Sequence, residues 1–384
     1  MKNGKRDLVS GNRMNIAIMT GSLSKGGTER VIVNLTDYLV EKGDSVSIVS
    51  LLVAKEEYKL NTSAKRYIWD LTENETKSGR IARISNFKAR VDKLNGIWDE
   101  IKPDLVLSFI GKNNIMALLT AKRRGIPVIV AVRGEPKEEY YAKWMQYAAR
   151  HMFKRADKVV LQTKGQQEFF PETIKNKSVI LKNPLNTQFL IDPVPFDERE
   201  PLIVSVGRID ANKNHRMIID AFSNIRSEFP EYKLVIYGDG ELREELTEYV
   251  KSLHMDDYIK LPGRIDDVPN TIKKARVFVL SSDTEGSPNA LIEAMCLSIC
   301  CISTDCPSGG PGELIKDREN GLLIPVRNTP KMQDVLQKLL NNLHEAERIA
   351  MNASTTRDIY NPETVLDEWR KTLKGVVNTG NRDK

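Results

Sequence analysis

The sequence predicts an α/β protein with two doubly wound parallel sheets. Short, continuously apolar runs alternate with longer amphipathic stretches, which is the pattern of buried parallel strands joined by helices. The alternation stops once, at a proline-rich segment over residues 182–201, and then resumes. The length of 384 residues is also more than one core usually serves. We therefore expect two lobes, with a ligand in the cleft at the carboxyl ends of their strands.

Both halves of the chain supply strands and helices to this prediction. The first half has predicted strands over residues 15–20, 45–52, 104–109, 127–132 and 158–163, and helices over 27–42, 113–124, 138–155 and 164–170. The second half has predicted strands over 201–208, 233–238, 258–263, 277–282 and 299–304, and helices over 213–228, 240–253, 288–297 and 329–341. A last helix is predicted over 362–377, after the second sheet is complete.

Composition narrows the classes of function. Hydrophobic residues make up 40% and charged residues 29%, and the basic N-terminus is not followed by the apolar segment of a signal peptide. The four cysteines lie within residues 296–306 and favour buried thiols over a metal site, so a reducing cytoplasm is expected. The net charge of +6 suits phosphate-bearing substrates or an anionic membrane, whereas no nucleic-acid-binding signature accompanies it.

A glycine-rich turn over residues 21–30 follows the first strand and opens a helix. Such a turn lets backbone N–H groups approach a phosphate at a helix N-terminus. Gly27 stands where an ATPase P-loop needs lysine, and the dinucleotide-binding Gly-x-Gly-x-x-Gly pattern is absent. The turn is therefore a generic anion site or a purely structural turn.

Two further stretches carry charged residues at the ends of predicted strands. Arg208 and Lys213 follow the first strand of the second half, where two fixed cations suit a departing diphosphate. Glu285 lies in the loop before the helix of residues 288–297, and Glu293 lies one turn inside that helix. The helix start between the two glutamates offers N–H groups to an anion.

As a set, Glu285-x7-Glu293, GRIDANKNH (207–215), YGDGELREEL and LPGRIDDV resemble the retaining nucleotide-sugar glycosyltransferases of family 4, which have two Rossmann-like lobes in the GT-B fold. The resemblance covers about residues 14–375 and implies a donor-binding site. Its implied members are Gly26, Gly27, Arg208, Lys213, Arg264, Ile265, Glu285, Ser287, Asn289, Ala290, Leu291 and Glu293.

The resemblance also implies a role for the main members of that site. Arg208 and Lys213 would bind the diphosphate, Glu285 would orient the transferred sugar, and Glu293 would bind the ribose. With Glu285, the two cations form the expected catalytic set. The resemblance implies no catalytic metal, which agrees with the absence of an Asp-x-Asp motif after a strand. It implies no cofactor either, since the nucleotide sugar is a co-substrate. A uridine diphosphate donor is the most frequent in the family.

The acceptor side departs from the pattern of many family members. None of the four histidines lies in the loops over 109–114 or 132–137, where such members place a histidine next to the reaction centre. The second loop instead resembles the Arg-x-x-Pro loop of transferases that build polysaccharides and lipid-linked oligosaccharides. Arg133 and Glu135 are thus acceptor-side candidates, although Glu135 is also consistent with a surface loop that has no role.

The implied domain organisation follows the same resemblance. It comprises a disordered leader (1–13), an N-terminal acceptor-binding lobe (14–185), a linker (186–200), a C-terminal nucleotide-sugar-binding lobe (201–355), and a helix and tail that return to the first lobe (356–384).

The reaction expected is transfer of a hexose or N-acetylhexosamine to a glycan or lipid-linked glycan. No carboxylate is clearly placed for a covalent intermediate, so we expect front-face transfer with retention of configuration. Two alternatives remain: a nucleotide-sugar epimerase or hydrolase on the same fold, and a non-catalytic protein that binds sugar nucleotides.

The helix predicted over residues 138–155 raises the question of a membrane partner. Tyr140, Trp144, Tyr147 and His151 are predicted along one face, with basic residues near the helix end. Such a face either packs on the first sheet or seats on an anionic membrane, at the inner face of the cell membrane.

Overall fold

The computed structural model describes residues 13–60, 64–72 and 82–380. Apart from Arg13, the predicted leader lies outside the described residues. The strands are β1 (Asn15–Thr20), β2 (Ser45–Ser50), β3 (Lys65–Ile68), β4 (Leu105–Phe109), β5 (Val128–Ala131), β6 (Lys158–Leu161), β7 (Ser178–Ile180), β8 (Glu200–Val206), β9 (Lys233–Tyr237), β10 (Ile259–Gly263), β11 (Ala275–Leu280), β12 (Cys300–Asp305) and β13 (Leu322–Pro325).

The helices of the described residues alternate with these strands. They are α1 (Gly27–Glu41), α2 (Ala82–Ile101), α3 (Gly111–Thr120), α4 (Pro136–Glu139), α5 (Lys143–Met152), α6 (Lys164–Glu168), α7 (Glu172–Lys175), α8 (His215–Ile225), α9 (Arg243–Ser252), α10 (Val268–Ile272), α11 (Asn289–Cys296), α12 (Gly310–Leu314), α13 (Thr329–Asn341), α14 (Leu343–Ala353), α15 (Thr356–Ile359) and α16 (Pro362–Gly380).

The chain forms two compact units, and each has its own parallel sheet. The first unit comprises Met1–Leu161, Gln167–Leu181 and Glu363–Lys384, and the second comprises Gln162–Gln166 and Lys182–Pro362. Residues 186–200, predicted as a linker, thus lie within the second unit.

The two sheets have the same doubly wound plan. The sheet order is β3-β2-β1-β4-β5-β6-β7 in the first unit and β10-β9-β8-β11-β12-β13 in the second. All strand pairs in both sheets are parallel, as continuous apolar strands predict. Separate apolar clusters lie on the two sides of the first sheet, which shows that helices pack against both of its faces.

The last helix, α16, belongs to the first unit. Trp369 and Leu373 are fully buried in the cluster that also holds residues of α1 and β4. The Arg370 guanidinium pairs with the Asp44 carboxylate at 2.7 Å, and Tyr38 donates a hydrogen bond to Asp367. The apolar face of α16 and the polar contacts beside it thus hold this helix against the first unit.

The helix predicted over residues 138–155 is wrong in one respect. The segment forms two helices, α4 and α5, and Tyr140 between them is fully buried, with its hydroxyl accepting a hydrogen bond from Asn114 Nδ2 at 3.1 Å. Tyr140 is therefore a core residue of the first unit, while Trp144 and Tyr147 on α5 are exposed.

The four cysteines are buried and make no disulfide. Cys300 and Cys301 lie in β12, and Cys296 ends α11. Burial raises the pKa of Cys296, Cys300 and Cys306 to about 12, so these thiols stay protonated and pack as small apolar groups.

Candidate active site

The sheet of the second unit has its switch point between β8 and β11. From these neighbouring strands the chain winds outward in opposite directions, through β9 to β10 and through β12 to β13. Open α/β sheets bind ligands outside the carboxyl ends of the strands at such a point. The loops that follow β8 and β11 hold Arg208, Lys213 and Glu285, which topology therefore brings to one place.

Lys213 and Glu285 are in direct contact. The Lys213 Nζ lies 2.5 Å from Glu285 Oε1, and the two side chains are only 17% and 12% exposed. Ser282 Oγ donates to the same carboxylate oxygen at 2.6 Å. The sheltered pair fixes a cation and a carboxylate side by side at the switch point.

Side-chain hydrogen bonds join the two loops around this pair. Asn212 Oδ1 accepts from the Thr284 N–H and hydroxyl at 3.1 and 2.7 Å, and Asn212 Nδ2 donates to the Thr284 carbonyl at 3.0 Å. Ser281 Oγ donates to the Lys213 carbonyl at 2.7 Å. These hydrogen bonds therefore fix the position of one loop relative to the other.

Arg208 lies at the same loop but in a different environment. Its side chain is 72% exposed, and its guanidinium pairs with Asp210 at 3.2 Å. Arg264 and Ile265 follow β10, two strands away from β8 on the same edge of the sheet. The structure thus places Arg208, Arg264 and Ile265 along one edge of the sheet, and it brings Lys213 into contact with Glu285.

Helix α11 begins directly after the Glu285 loop. Ser287 and Pro288 precede it, the Leu291 N–H donates to the Pro288 carbonyl at 3.0 Å, and Asn289 Oδ1 accepts from Asn183 Nδ2 at 2.6 Å. Ala290 lies in the same first turn.

The second glutamate of the predicted pair lies deeper in this helix. Glu293 is 5% exposed, one turn inside α11. The two glutamates therefore occupy different environments. Glu285 contacts the loops at the switch point, whereas Glu293 is a buried residue within α11.

Sequence reasoning missed two supports of this site. Ser308 Oγ, in the loop after β12, donates to the Glu285 carbonyl at 2.6 Å. A Cβ on Gly310 would lie 1.9 Å from the Gly286 carbonyl oxygen, and one on Gly238 would lie 1.7 Å from the Gly207 oxygen. The signals were the glycines of SGGPG (308–312) and YGDG (237–240), which mark close backbone approach.

The first unit holds the remaining predicted residues. Gly26 precedes α1 and Gly27 begins it, at the carboxyl end of β1, which with β4 forms the switch point of that sheet. A Cβ on Gly26 would lie 2.3 Å from Glu29 Oε2. This turn is therefore built on close contact with its own helix.

Arg133 and Glu135 follow β5 but differ in exposure. The Arg133 side chain is buried against the rings of Phe109 and Trp369, with its guanidinium carbon 5.7 and 5.9 Å from the two ring centroids, and burial lowers its pKa to about 10. Glu135 is half-buried and caps α4, accepting from the Lys137 N–H at 3.4 Å. The carboxylate that organises this loop is Glu139, which sequence reasoning did not select.

Two family models match successive parts of this chain. Glycosyltransferase Family 4 matches residues 25–189, and Glycosyl transferases group 1 matches residues 186–356. The chain is a glycosyltransferase of family 4.

Relatives along the whole length of this glycosyltransferase are enzymes of glycan assembly. GalNAc-alpha-(1->4)-GalNAc-alpha-(1->3)-diNAcBac-PP-undecaprenol alpha-1,4-N-acetyl-D-galactosaminyltransferase of Campylobacter jejuni is 29% identical over 95% of this chain and 99% of its own. The amylovoran biosynthesis glycosyltransferase AmsD of Erwinia amylovora is 24% identical over 93% of this chain and 99% of its own.

A solved structure supports the fold. HepE of Anabaena, in complex with UDP, superposes with a TM-score of 0.78 at 14% identity, over 94% of this chain and 100% of its own. At this level of sequence identity, the structural similarity is evidence for the fold alone. The predicted two-lobed α/β GT-B fold of the glycosyltransferase is confirmed.

Proposed function

We propose that this glycosyltransferase moves a hexose or N-acetylhexosamine from a UDP-sugar to a lipid-linked glycan, with retention of configuration. The observation that carries the proposal is the sheltered Lys213–Glu285 pair at the switch point of the second unit. In this proposal the cation binds the diphosphate of the donor, and its carboxylate partner binds the sugar hydroxyls. HepE, which shares the fold, binds UDP.

The proposed chemistry is front-face transfer. The bond between the anomeric carbon and the diphosphate oxygen breaks while the acceptor oxygen bonds to that carbon on the same face. The acceptor proton passes to the departing diphosphate, and UDP is released. Lys213, Arg208 and the start of α11 would stabilise the charge on the leaving group, which is the largest contribution expected of such a site.

The acceptor proposal rests on the relatives. The Campylobacter jejuni enzyme acts on a diphospho-undecaprenol glycan by its name, and the Erwinia amylovora enzyme serves amylovoran synthesis. Both cover nearly the full length of their own chains in the match. A glycan carried by a lipid is therefore the acceptor class that we propose, within polysaccharide or cell-surface glycan synthesis.

An exposed face of the first unit fits an acceptor held at a membrane. Tyr141, just before α5, is 70% exposed, and Trp144 and Tyr147 on α5 are 65% and 64% exposed. Arg150 on α5 is exposed as well. Aromatic and basic side chains together suit the interface of an anionic bilayer. None of the helices in the described part of the chain is long and apolar enough to cross a membrane. We therefore propose peripheral binding at the cytoplasmic face.

A screen of nucleotide sugars tests the proposed reaction. Release of the nucleoside diphosphate is measured for each donor with and without a lipid-linked glycan. We expect release from a UDP-sugar that depends on the acceptor. Release that is equal without any acceptor would instead identify an epimerase or hydrolase, and binding without release would identify a non-catalytic protein.

A further inference from the structure

One carboxylate in the first unit joins two successive βα loops. Glu139 Oε1 accepts the Gly111 N–H at 2.9 Å, and Oε2 accepts the N–H groups of Arg133 and Gly134 at 2.8 and 3.1 Å. Gly111 begins α3 after β4, whereas Arg133 and Gly134 follow β5. The single side chain at the end of α4 therefore sets the position of one loop relative to the other.

The first of these loops holds a strained residue. Ile110 has φ 67 and ψ 124, a conformation that β-branched residues rarely adopt, and Gly111 has φ 48. Such a conformation persists only where its surroundings fix it, and it concentrates at functional sites. The bond from the Gly111 N–H to Glu139 fixes the residue next to Ile110.

The strained turn also lies where the fold places ligands. It follows β4, which with β1 forms the switch point of the first sheet. Asn113, on the first turn of α3, approaches the β1 loop, since its Nδ2 would lie 3.9 Å from a Cβ on Gly21. The turn is therefore part of the ligand-facing edge of this unit.

We propose that Glu139 is a positioning residue of the acceptor site, holding the Ile110–Gly111 turn and residues 132–135 in the arrangement that receives the glycan. The inference rests on the proposed function, in which the first unit binds the acceptor. The carboxylate is committed to three backbone N–H groups, so it acts through the loops and not by touching the acceptor. Its removal should therefore weaken acceptor binding and leave donor binding intact.

The decisive variant is Glu139→Gln. An amide has one acceptor oxygen and turns a donor towards the loop, so it cannot accept all three N–H groups. We expect the acceptor KM to rise by about tenfold or more, a change worth ~1.4 kcal/mol, while kcat and UDP affinity stay within about twofold of the wild type. Glu138→Gln is the matched control, because it removes the same charge from the exposed neighbouring position.

Hydrogen exchange supplies a readout that needs no acceptor. In the full chain, Glu139→Gln should speed exchange of the amides over 110–113 and 132–135, and Glu138→Gln should not. Combining it with Ile110→Gly should recover part of the acceptor affinity, since glycine adopts the turn without strain.

Two results would overturn the assignment. One is a Glu139→Gln variant that matches Glu138→Gln in both KM and exchange. The other is an equal loss of UDP and acceptor binding, which indicates a general structural role. A wild-type chain that is inactive with every donor and acceptor refutes the proposed function, and the exchange measurement still tests Glu139.

Discussion

The ion pair between Lys213 and Glu285 joins residues that are 72 positions apart in the chain. Because both side chains are sheltered, removing one partner leaves the other charge poorly solvated. Each residue also has a proposed ligand of its own, the diphosphate for Lys213 and the sugar for Glu285. Loss of either residue should therefore affect both its ion-pair partner and its proposed part of the donor.

Lys213→Ala and Glu285→Ala should each abolish most of the transfer activity. For Lys213, losing one stabilising group at the leaving diphosphate costs about 3 kcal/mol of transition-state stabilisation, or roughly a hundredfold in rate. For Glu285, losing the group that orients the sugar should cost a rate factor of the same order. Glu319→Ala, in an exposed ion pair of the same unit, is the control and should retain activity. The measurement is acceptor-dependent UDP release, and an unchanged rate in either site variant would contradict the assignment.

His215, the first residue of α8, should make the second unit less stable in mild acid. The side chain is 2% exposed, and burial and then the charge of Lys213 lower its pKa to about 4. An unfolded histidine binds a proton below about 6.5. The stability present at neutral pH is therefore lost as the pH falls from about 6.5 to about 4.

Urea unfolding at pH 7 and pH 5 measures this loss. Wild type should lose about 2 kcal/mol more than His215→Asn over that interval, at about 1.4 kcal/mol per pH unit below 6.5. His344→Asn, at an exposed position, should behave as wild type does. Equal losses in wild type and His215→Asn would show that His215 titrates normally.

The position of a site residue is predictable from sequence where motif and topology agree. Lys213 and Glu285 follow strands that the apolar pattern identifies, so their place at the carboxyl edge of the second sheet was predictable. Glu139 was not, because its role depends on Gly111, 28 residues earlier in the chain, and on a strained turn that no local pattern reveals. Glu135, the residue before the same short helix, is equally suitable by sequence and caps α4 in the structure.

At the level of elements, α16 depends on tertiary contacts for its place. Its apolar face carries Trp369 and Leu373, both fully buried, and the Arg370–Asp44 ion pair lies beside them. Phe109 of β4 stacks on Trp369 with a centroid distance of 6.0 Å. The helix is therefore an integral part of the first core.

Trp369→Ala should destabilise the first unit by about 3–5 kcal/mol, since it removes a fully buried aromatic side chain and leaves a cavity. Trp144→Ala is the matched control, because Trp144 is 65% exposed in the same unit. Amide exchange of β1 and β4, followed in urea, measures the change. An effect confined to the second unit would contradict this view of α16.

Sequence patterns identified most elements but not all. The pattern does not predict helix α2, because its large buried residues (Leu94, Ile97, Trp98 and Ile101) lie in its second half, which weakens the helical periodicity. The short edge strands β3, β7 and β13 have too few residues to give a clear signal. Tyr140 ends one helix and precedes another, and only its burial distinguishes that break from a continuous helix.

At the level of the whole molecule, charge and exposed aromatic residues point to the same partner. The net charge is +6, and the exposed aromatic face lies on the unit proposed to bind the acceptor. An anionic bilayer attracts such a surface electrostatically, and tryptophan and tyrosine then occupy its interface. Binding should therefore depend on anionic lipid and weaken as salt is raised.

Co-sedimentation with vesicles tests this dependence. The chain should pellet with vesicles that contain phosphatidylglycerol and less with purely zwitterionic ones. The Trp144→Ala, Tyr147→Ala double variant should bind more weakly, and Met351→Ala, equally exposed in the second unit, should bind as wild type does. Absence of binding at every salt concentration would rule out the membrane proposal.

The first unit is built from segments that are far apart in the chain, and this affects how it folds during synthesis. Its sheet is complete at residue 180, yet its last helix begins at residue 362, so residues 182–361 of the second unit are synthesised in between. At about 5–20 residues per second, a ribosome needs roughly 10–40 seconds for that interval. Throughout it, the pocket for Trp369 is uncovered beside Phe109. The part of the enzyme that emerges first is thus finished last, and a nascent chain released early would display that apolar surface to chaperones.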